Sequence, residues 1–247
     1  FPASMTKMMT AYLLFEHLKS GSLSLEDTFR VSEKAWRKGG SKMFVKVGER
    51  VSVEDLIRGI VVQSGNDATI VVAEGIGGSE AVFGDLMTEK ARAIGMANST
   101  FRNASGWPDP DHVTTARDLA ILAERTIRDF PEHYHYYSEL SFKYNNIKQS
   151  NRNPLLYKNM GADGLKTGHT QASGYGLTAS AKRNNRRLIV VANGFSSVKA
   201  RAAGSERLID WGFRTWNNYA LFEAGEKIAD VPVWLGEADS VPLLIKD

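Results

Sequence analysis

FPASMTKMMTAYLLFEHL, residues 1–18, opens the chain and combines a helical pattern with a chemical one. Apolar side chains recur at helical spacing between Met5 and Phe15, which predicts an α-helix. Ser4 and Lys7 stand three residues apart in its first turn, so both lie on the same face of that helix. This Ser-x-x-Lys pattern is typical either of a catalytic pair or of a helix cap beside a solvated lysine.

The pattern carries little weight alone, because a chain of this length contains about one match by chance. A second match, Ser196 and Lys199, occurs in SSVK. Two other patterns support the first: Ser-x-Asn at Ser64–Asn66, in a loop between apolar helices, and Lys-Thr-Gly at Lys166–Gly168, on a predicted strand. This order matches a set found in class A β-lactamases and penicillin-binding proteins. Ser196 and Lys199 follow the strand, so we interpret them as a cap and a solvated lysine.

The chemistry of these residue types explains why they belong together. A serine hydroxyl needs a base to become an effective nucleophile, and Lys7 is the candidate base for Ser4. A lysine serves as a base only when its pKa falls, and we expect burial and the nearby cation Lys166 to lower it. Ser64 is expected to relay a proton between Lys7 and the leaving amine, and Asn66 to bind the substrate amide.

The Lys-Thr-Gly strand is a candidate surface for binding an extended peptide. Lys166, Thr167 and Gly168 would offer a strand edge to the substrate backbone, with Gly168 allowing close approach. We expect the backbone N–H groups of Ser4 and His169 to form the oxyanion hole.

The pattern between residues 24 and 150 is mainly helical. Capping residues precede apolar helical stretches at three places, which are Ser52, Ser79 and Thr114 or Thr115. This region predicts a helical subdomain.

After residue 160 the pattern predicts three strands, GLKTGHT, GYGLTASAK and RRLIVVANGF. Asn184-Asn185 joins the last two in a tight hairpin, because asparagine tolerates a positive φ. A helix follows, and from about Trp216 short apolar runs are broken by Gly and Pro. We therefore expect an α/β (α+β) fold with an antiparallel sheet flanked by helices in residues 1–217, and the truncated start of a small β domain in residues 218–247.

Composition excludes several functional classes. The chain has 247 residues and no cysteine, which excludes disulfides, thiol catalysis and thiolate metal sites. The net charge is +3 and the charges are scattered, so we expect no nucleic-acid partner. His133 and His135 lack an obvious third ligand, so we expect no metal and no cofactor. No apolar stretch is long enough to span a membrane.

Longer motifs make the chain resemble the D-alanyl-D-alanine carboxypeptidases, which are low-molecular-mass penicillin-binding proteins. They cover nearly the whole chain: PASMTKMMT, SGNDA, STFRNASGWPDPDHVTTARDLA, NRNPLL, DGLKTGHT, GYGLTASA and SERLIDWGFR. The resemblance implies a penicillin-recognising, β-lactamase-like fold, followed by a small β domain and often a C-terminal amphipathic membrane anchor. It also implies removal of the terminal D-alanine from peptidoglycan stem pentapeptides, acylation by β-lactam antibiotics, and a location in the bacterial periplasm or on the outer face of the cytoplasmic membrane.

The resemblance also assigns roles to residues. It implies Ser4 as the nucleophile, Lys7 as its base, Ser64 and Asn66 as the second motif, and Lys166, Thr167 and Gly168 as the substrate-binding strand. Arg201 resembles an arginine near the terminal carboxylate of the substrate, and Arg152 one that lines the same region. Both could equally be structural ion-pair partners.

Two departures from the family pattern concern the ends of the chain. The strands that precede PASxTK in the family are absent, and the second domain is cut short without an anchor. We therefore expect a trimmed part of a longer protein, whose membrane association would run through a C-terminal segment absent from this chain.

Two alternative functions share these motifs. One is a serine β-lactamase, but the E-x-x-L-N stretch that holds the deacylating glutamate of class A enzymes does not occur in the sequence. The other is a non-hydrolytic sensor module that is acylated by a β-lactam and signals. Sustained release of D-alanine from a peptide would separate the peptidase from the sensor.

Overall fold

The computed structural model describes residues 1–217, 219 and 221–246. They form two compact units, one from Phe1 to Gly212 and one from Phe213 onward. The predicted boundary between residues 217 and 218 lies close to this division and stays a prediction.

The first unit begins with a 3-10 helix, Ala3–Thr6, that continues into helix α1, Lys7–Lys19. Five more helices follow before the large sheet: α2 Glu33–Arg37, α3 Val53–Val61, α4 Asn66–Gly77, α5 Glu80–Ala93 and α6 Ala116–Asp129. The predicted helix starts are confirmed by side-chain caps, since Ser52, Ser79 and Thr115 each accept a hydrogen bond from a backbone N–H three residues on.

The helical region also contains two short antiparallel strand pairs that the sequence pattern did not predict. Strands β1, Thr28–Arg30, and β2, Arg50–Ser52, form one pair. Strands β3, Ser141–Tyr144, and β4, Ile147–Ser150, form the other. Two further 3-10 helices, Tyr134–Ser138 and Pro154–Tyr157, flank the second pair.

The large sheet confirms the three predicted strands. Strands β5, Ala162–Thr170, β6, Gly174–Arg183, and β7, Arg186–Phe195, are antiparallel in the order β5-β6-β7. The β6–β7 turn has φ values of +46° and +62° at Asn184 and Asn185, as the Asn-Asn pair predicts. Helix α7, Val198–Thr215, follows the sheet. Strand β5 lies at one edge of the sheet formed by the described residues.

Helix α1 is central to the first unit and is buried on all sides. Every residue from Lys7 to Phe15 is buried, whereas the sequence suggested a single apolar face. The reason is that α1 packs against α3, α4, α5 and α6 and also contacts β5. Its first turn therefore lies at the junction of the helical region and the sheet, where the predicted site residues meet.

The second unit contains one antiparallel pair, strands β8, Lys227–Pro232, and β9, Ser240–Leu244. Its predicted β character is thus confirmed for the described residues. Among the residues that the structure describes, no helix has the length and apolar character needed to cross a membrane.

Candidate active site

Ser4 and Lys7 form a hydrogen-bonded pair at the start of α1. The Lys7 Nζ donates to Ser4 Oγ at 2.8 Å, to Asn66 Oδ1 at 2.7 Å and to the Ser105 carbonyl oxygen at 3.0 Å. The Lys7 side chain is fully buried, whereas Ser4 is partly open to solvent. The helical spacing therefore brings an accessible hydroxyl against a buried amine, which a helix cap beside a solvated lysine would not do.

The environment of Lys7 favours its neutral form. Burial, with smaller contributions from Arg152 and Lys38, lowers the pKa of Lys7 to about 7, against the opposing effect of Asp67. The sequence analysis named Lys166 as the cation responsible, and the structure instead gives Arg152 as the main cationic contributor. Burial holds the pKa of Lys166 itself well below its ordinary value, with Lys7 adding to the effect. Both lysines are therefore suited to exchanging protons.

Ser64 is held by Lys166 rather than by Lys7. The Lys166 Nζ donates to Ser64 Oγ at 3.0 Å and to the Thr167 carbonyl oxygen at 3.3 Å. Ser64 has a φ of +60° and is 1% exposed, in the loop between α3 and α4. A left-handed serine is strained, and such strain is concentrated at functional sites. The expected relay from Lys7 through Ser64 therefore needs correction, because the described hydrogen bonds link Ser64 to Lys166.

Both polar side-chain atoms of Asn66 bind groups within the protein, and one of them binds Lys7. Its Oδ1 accepts from Lys7, its Nδ2 donates to the Gly39 carbonyl oxygen at 2.8 Å, and its backbone N–H donates to the Ser41 carbonyl oxygen at 2.7 Å. These contacts tie the loop after α2 to the Ser4–Lys7 pair. They give no support to the expected role of Asn66 in binding a substrate amide.

Strand β5 passes very close to the 3-10 helix that carries Ser4. A Cβ on Gly168 would lie 2.8 Å from the Pro2 carbonyl oxygen, so only glycine permits this approach without a shift. Thr167 is 5% exposed, and the exposed ring of His169 stacks on Tyr175 with a centroid distance of 3.9 Å. The Lys-Thr-Gly strand thus borders the Ser4 hydroxyl, as expected from the sequence.

Arg201 and Arg152 lie on a cavity of about 460 Å³. It is lined by Ser4, Ser41, Ser64, Arg152, Thr167, Gly168, His169, Tyr175, Val198 and Arg201. Arg201 is 6% exposed, its Nε has no hydrogen-bond partner, and its guanidinium lies 5.8 Å from the Tyr175 ring centroid. Arg152 donates to Ser41 Oγ at 2.5 Å. Within the described ranges neither arginine forms a salt bridge, so the ion-pair alternative has no support there and the cavity suits an anion.

Several residues of the site were missed by sequence reasoning. Ser41 anchors Arg152, and Ser105 contributes only its carbonyl oxygen, which no side-chain pattern can reveal. The buried Asp67 carboxylate accepts from the backbone N–H groups of Met43, Phe44 and Val45 and holds that loop in place. The position of Asp67 directly after the Ser-x-Asn pattern, in the first turn of a helix, was the sequence feature that could have indicated this role.

The described residues contain no group of three metal-ligating side chains.

A serine–lysine pair set between an antiparallel sheet and a helical region defines the penicillin-recognising class of serine enzymes. The chain belongs to the D-alanyl-D-alanine carboxypeptidase family, because residues 1–196 match the model of that family. The predicted family and fold are therefore confirmed.

Individual relatives lead to the same family assignment. The chain is 43% identical over 248 residues to D-alanyl-D-alanine carboxypeptidase DacA of Haemophilus influenzae, covering 98% of this chain and 63% of the relative. It is 40% identical over 249 residues to DacA of Escherichia coli K12, covering 98% of this chain and 62% of that relative. The chain thus spans 62–63% of the length of these curated relatives.

Solved structures agree with the sequence relatives. Penicillin-binding protein 5 of Haemophilus influenzae superposes with a TM-score of 0.93 at 42% identity, over 98% of this chain and 72% of that one. Penicillin-binding protein D2 of Listeria monocytogenes, in its ampicillin-bound form, gives a TM-score of 0.77 at 29% identity, over 85% of this chain and 86% of that one.

Proposed function

We propose that this protein is a serine-type D-alanyl-D-alanine carboxypeptidase. It removes the terminal D-alanine from peptidoglycan stem pentapeptides through an acyl-enzyme on Ser4, and β-lactam antibiotics acylate the same serine. The observation that carries the proposal is the buried Lys7 amine, with a pKa of about 7, hydrogen-bonded to Ser4 Oγ at 2.8 Å.

Acylation begins when Ser4 Oγ attacks the scissile carbonyl carbon while neutral Lys7 accepts the hydroxyl proton. Negative charge then develops on the carbonyl oxygen. We assign the stabilisation of this charge to the backbone N–H groups of Ser4 and His169. Collapse of the intermediate breaks the C–N bond, and the departing amine takes a proton. Ser64 is the proposed donor to that amine, with Lys166 as its own proton source, since Lys166 contacts Ser64 Oγ.

Substrate recognition depends on strand β5 and the two arginines. An extended peptide backbone would add to the edge of β5 at Thr167, which places its carbonyl carbon beside Ser4. The unpartnered Nε of Arg201 supports a role in holding the free terminal carboxylate, and Arg152 borders the same cavity. An arginine fork suits a carboxylate, so these contacts select peptides with a free C-terminus.

Deacylation requires a water molecule and a base aimed at the acyl carbon. After peptide attack, free D-alanine leaves and opens room for water beside Lys7. Lys7 first releases the Ser4 proton to solvent, while Lys166 regains a proton from solvent, and neutral Lys7 then serves as base for the water. After β-lactam attack, the leaving amine stays tethered through the opened ring and blocks that space. We therefore expect the peptide adduct to turn over while the penicilloyl adduct persists.

Action on peptidoglycan implies a location outside the cytoplasmic membrane. We propose the periplasm or the outer face of that membrane, with association of the protein with the membrane. The family membership supports this location.

The test combines intact-mass spectrometry with an assay of free D-alanine. Incubation with penicillin should add one penicilloyl group, and Ser4→Ala should abolish it while the matched variant Ser196→Ala keeps it. A peptide ending in D-Ala-D-Ala should release D-alanine over many turnovers. A single stoichiometric burst would favour a sensor, and rapid loss of the penicilloyl adduct with steady penicillin consumption would favour a β-lactamase.

A further inference from the structure

Two of the three partners of the Lys7 amine can only accept hydrogen bonds. The Ser105 carbonyl oxygen has no proton to donate. The Asn66 amide donates its Nδ2 to the Gly39 carbonyl oxygen, so its Oδ1 is the atom that faces Lys7. A neutral amine has two N–H groups and one lone pair. Both N–H groups therefore point at Asn66 and Ser105, and the lone pair points at the third partner, Ser4 Oγ, 2.8 Å away.

The direction of this lone pair matters for the reaction, because the hydroxyl proton of Ser4 moves along it during the attack. A lysine amine rotates about the last bond of a flexible side chain, so burial alone does not fix the orientation of its lone pair. The two acceptors supply that orientation. One of them, the Ser105 carbonyl, lies in the loop of residues 103–107, which depends on Asn103 for its shape.

Asn103 holds this loop from inside. Its Oδ1 accepts from the backbone N–H groups of Ser105 at 3.2 Å, Gly106 at 2.8 Å and Trp107 at 2.9 Å, and its Nδ2 donates to the Trp107 carbonyl oxygen at 3.0 Å. The Ser105 carbonyl and the Gly106 N–H belong to one trans peptide group, in which they point in opposite directions. The bond from Gly106 to Asn103 therefore turns the Ser105 carbonyl oxygen away from Asn103 and toward Lys7.

The same loop is clamped from outside by the elements that carry the nucleophile and its base. Thr10 Oγ1, on α1, donates to the Ala104 carbonyl oxygen at 2.7 Å, and both residues are fully buried. A Cβ on Gly106 would lie 1.7 Å from the Ala3 carbonyl oxygen, so the loop also presses on the 3-10 helix. These contacts set the position of the loop, while Asn103 sets the rotation of the peptide group before Gly106.

We propose that Asn103 is a positioning residue that holds the Ser105 carbonyl so that this carbonyl and Asn66 direct the lone pair of Lys7 at Ser4 Oγ. This rests on the proposed function, in which Lys7 is the base. Asn103 acts through Ser105 and touches neither the nucleophile nor the base. Its loss should therefore slow acylation by β-lactams and by peptides alike.

The test measures the rate of Ser4 acylation by benzylpenicillin against pH for the wild type and Asn103→Ala. We expect the plateau rate above the midpoint to fall about ten- to hundredfold, as for a reacting group misplaced by about 1 Å. The midpoint should move down by about one pH unit, because the ammonium form of Lys7 loses a stronger hydrogen bond than the neutral form does. A loop that merely loosened would admit water to Lys7 and move the midpoint up, toward the ordinary pKa of 10.5. An upward shift or an unchanged profile would overturn the proposal.

The direction of the midpoint shift can be interpreted because the charged groups that interact with Lys7 lie outside the altered loop. These groups are Arg152, Lys38, Asp67 and Lys166. Asn103→Ala leaves all four in place. A downward shift therefore reports the lost acceptor rather than a changed charge.

Further variants separate this role from a loss of folding. Asn103→Asp keeps an oxygen that accepts from the same N–H groups, so it should restore the plateau to within about threefold of the wild type. A plateau as low as that of Asn103→Ala would contradict the proposal. Asn103→Gln displaces the amide by one methylene and should behave like Asn103→Ala, which it replaces if that variant does not fold. Wild-type behaviour of Asn103→Gln would also contradict the proposal.

A matched control and a peptide assay complete the experiment. Asn98 is an exposed asparagine in the loop after α5, and Asn98→Ala should leave both the plateau and the midpoint unchanged. Failure of the wild type to release D-alanine from a peptide ending in D-Ala-D-Ala would contradict the proposed function alone, because the effect of Asn103 is measured with penicillin. An unchanged profile in Asn103→Ala, with D-alanine released by the wild type, would remove only the positioning role.

Discussion

The proposed role of Lys7 as a base depends on the burial of its amine. With a pKa of about 7 instead of 10.5, roughly half of the Lys7 side chains are neutral at neutral pH. We expect the second-order rate of acylation by benzylpenicillin to fall about tenfold per pH unit below this pKa and to level off above it. Stopped-flow measurement across the range from about pH 5 to pH 9 checks the profile. A rate that stays flat down to the acidic end would contradict the base assignment.

A substitution at Lys7 provides the control for that profile. Lys7→Arg keeps a cation that does not release its proton, so acylation should fall by at least about a hundredfold at every pH. Lys199→Arg changes the lysine of the second Ser-x-x-Lys pattern in the same way and should leave the rate unchanged. A Lys7→Arg variant that acylates at the wild-type rate would remove Lys7 from the mechanism.

Arg201 is the second residue whose burial has a chemical consequence. Because its Nε is buried without a partner, an incoming carboxylate would satisfy it. Arg201→Ala should therefore cost roughly 1.5–3 kcal/mol in kcat/KM for a peptide ending in D-Ala-D-Ala. Acylation by a β-lactam ester that lacks the free carboxylate should barely change. Equal losses for both ligands would identify a structural role.

The individual residues of the site were predictable, but their partners were not. The contact between Ser4 and Lys7 could be predicted from the sequence, because the two residues lie one helical turn apart. The contacts of Lys7 with Asn66 and of Ser64 with Lys166 join residues 59 and 102 positions apart. Their geometry depends on how α1, α4 and β5 pack, which no local pattern encodes. The sequence analysis therefore named residues that the fold brings together, but it did not predict the hydrogen-bond partners of Ser64 and Asn66.

At the level of elements, His112 connects the 3-10 helix of Ser4 to the loop before α6. Its Nδ1 accepts the Arg102 N–H at 3.2 Å, so its Nε2 carries the proton and donates to Thr6 Oγ1 at 2.9 Å. His112 is 2% exposed, and burial lowers its pKa to about 4 from the ordinary 6.5. Protonation would remove the acceptor for Arg102 and place a charge in the core, so the neutral imidazole is what holds the helix.

This connection predicts how stability depends on pH. Between about pH 6.5 and pH 4 the unfolded chain binds a proton at His112 that the folded chain does not, so stability falls as the pH falls. The loss reaches up to about 3 kcal/mol and ends below the folded pKa. Urea unfolding at both ends of this window should show a smaller loss for His112→Gln than for the wild type. The exposed residue His135 gives the control, since His135→Gln should keep the wild-type loss.

The elements differ in how clearly the sequence marks them. Strands β5 to β7 were predicted because they are long, adjacent in the chain and joined by recognisable turns. Strand β1 was missed because three residues carry no measurable alternation, and its partner β2 lies more than twenty positions away, as in Thr28 opposite Ser52. Helix α1 was predicted as a helix, but its burial on all sides follows from its neighbours rather than from its own pattern.

For the whole molecule, the distribution of charge matters more than the net charge of +3. Cations outside the cleft commonly pair with acids, as Arg58 does with Glu139 at 2.9 Å. Within the described residues, Arg152 and Arg201 line the cavity beside Ser4 and form no salt bridge. This concentration of positive potential attracts anionic ligands to Ser4 and is invisible in a linear sequence, where the charges look scattered.

The division into two compact units predicts that the first can work alone. Every candidate site residue lies between Ser4 and Arg201, within the unit that ends at Gly212, and α7 ends at Thr215. A chain of residues 1–217 should therefore fold and acylate with penicillin within about twofold of the longer chain, as expected when core and site belong to one unit. Circular dichroism and the acylation rate together check this outcome.

A shorter truncation supplies the control. A chain that ends at residue 208 loses the fully buried Ile209 and the last turns of α7, so it should unfold at a lower temperature or fail to fold. If the chain of residues 1–217 behaves in the same way, the predicted boundary between residues 217 and 218 is wrong, because residues of the second unit would then be needed to stabilise the first. If only the shorter chain is impaired, α7 completes the first unit, since it carries Arg201 and the buried residue Ile209.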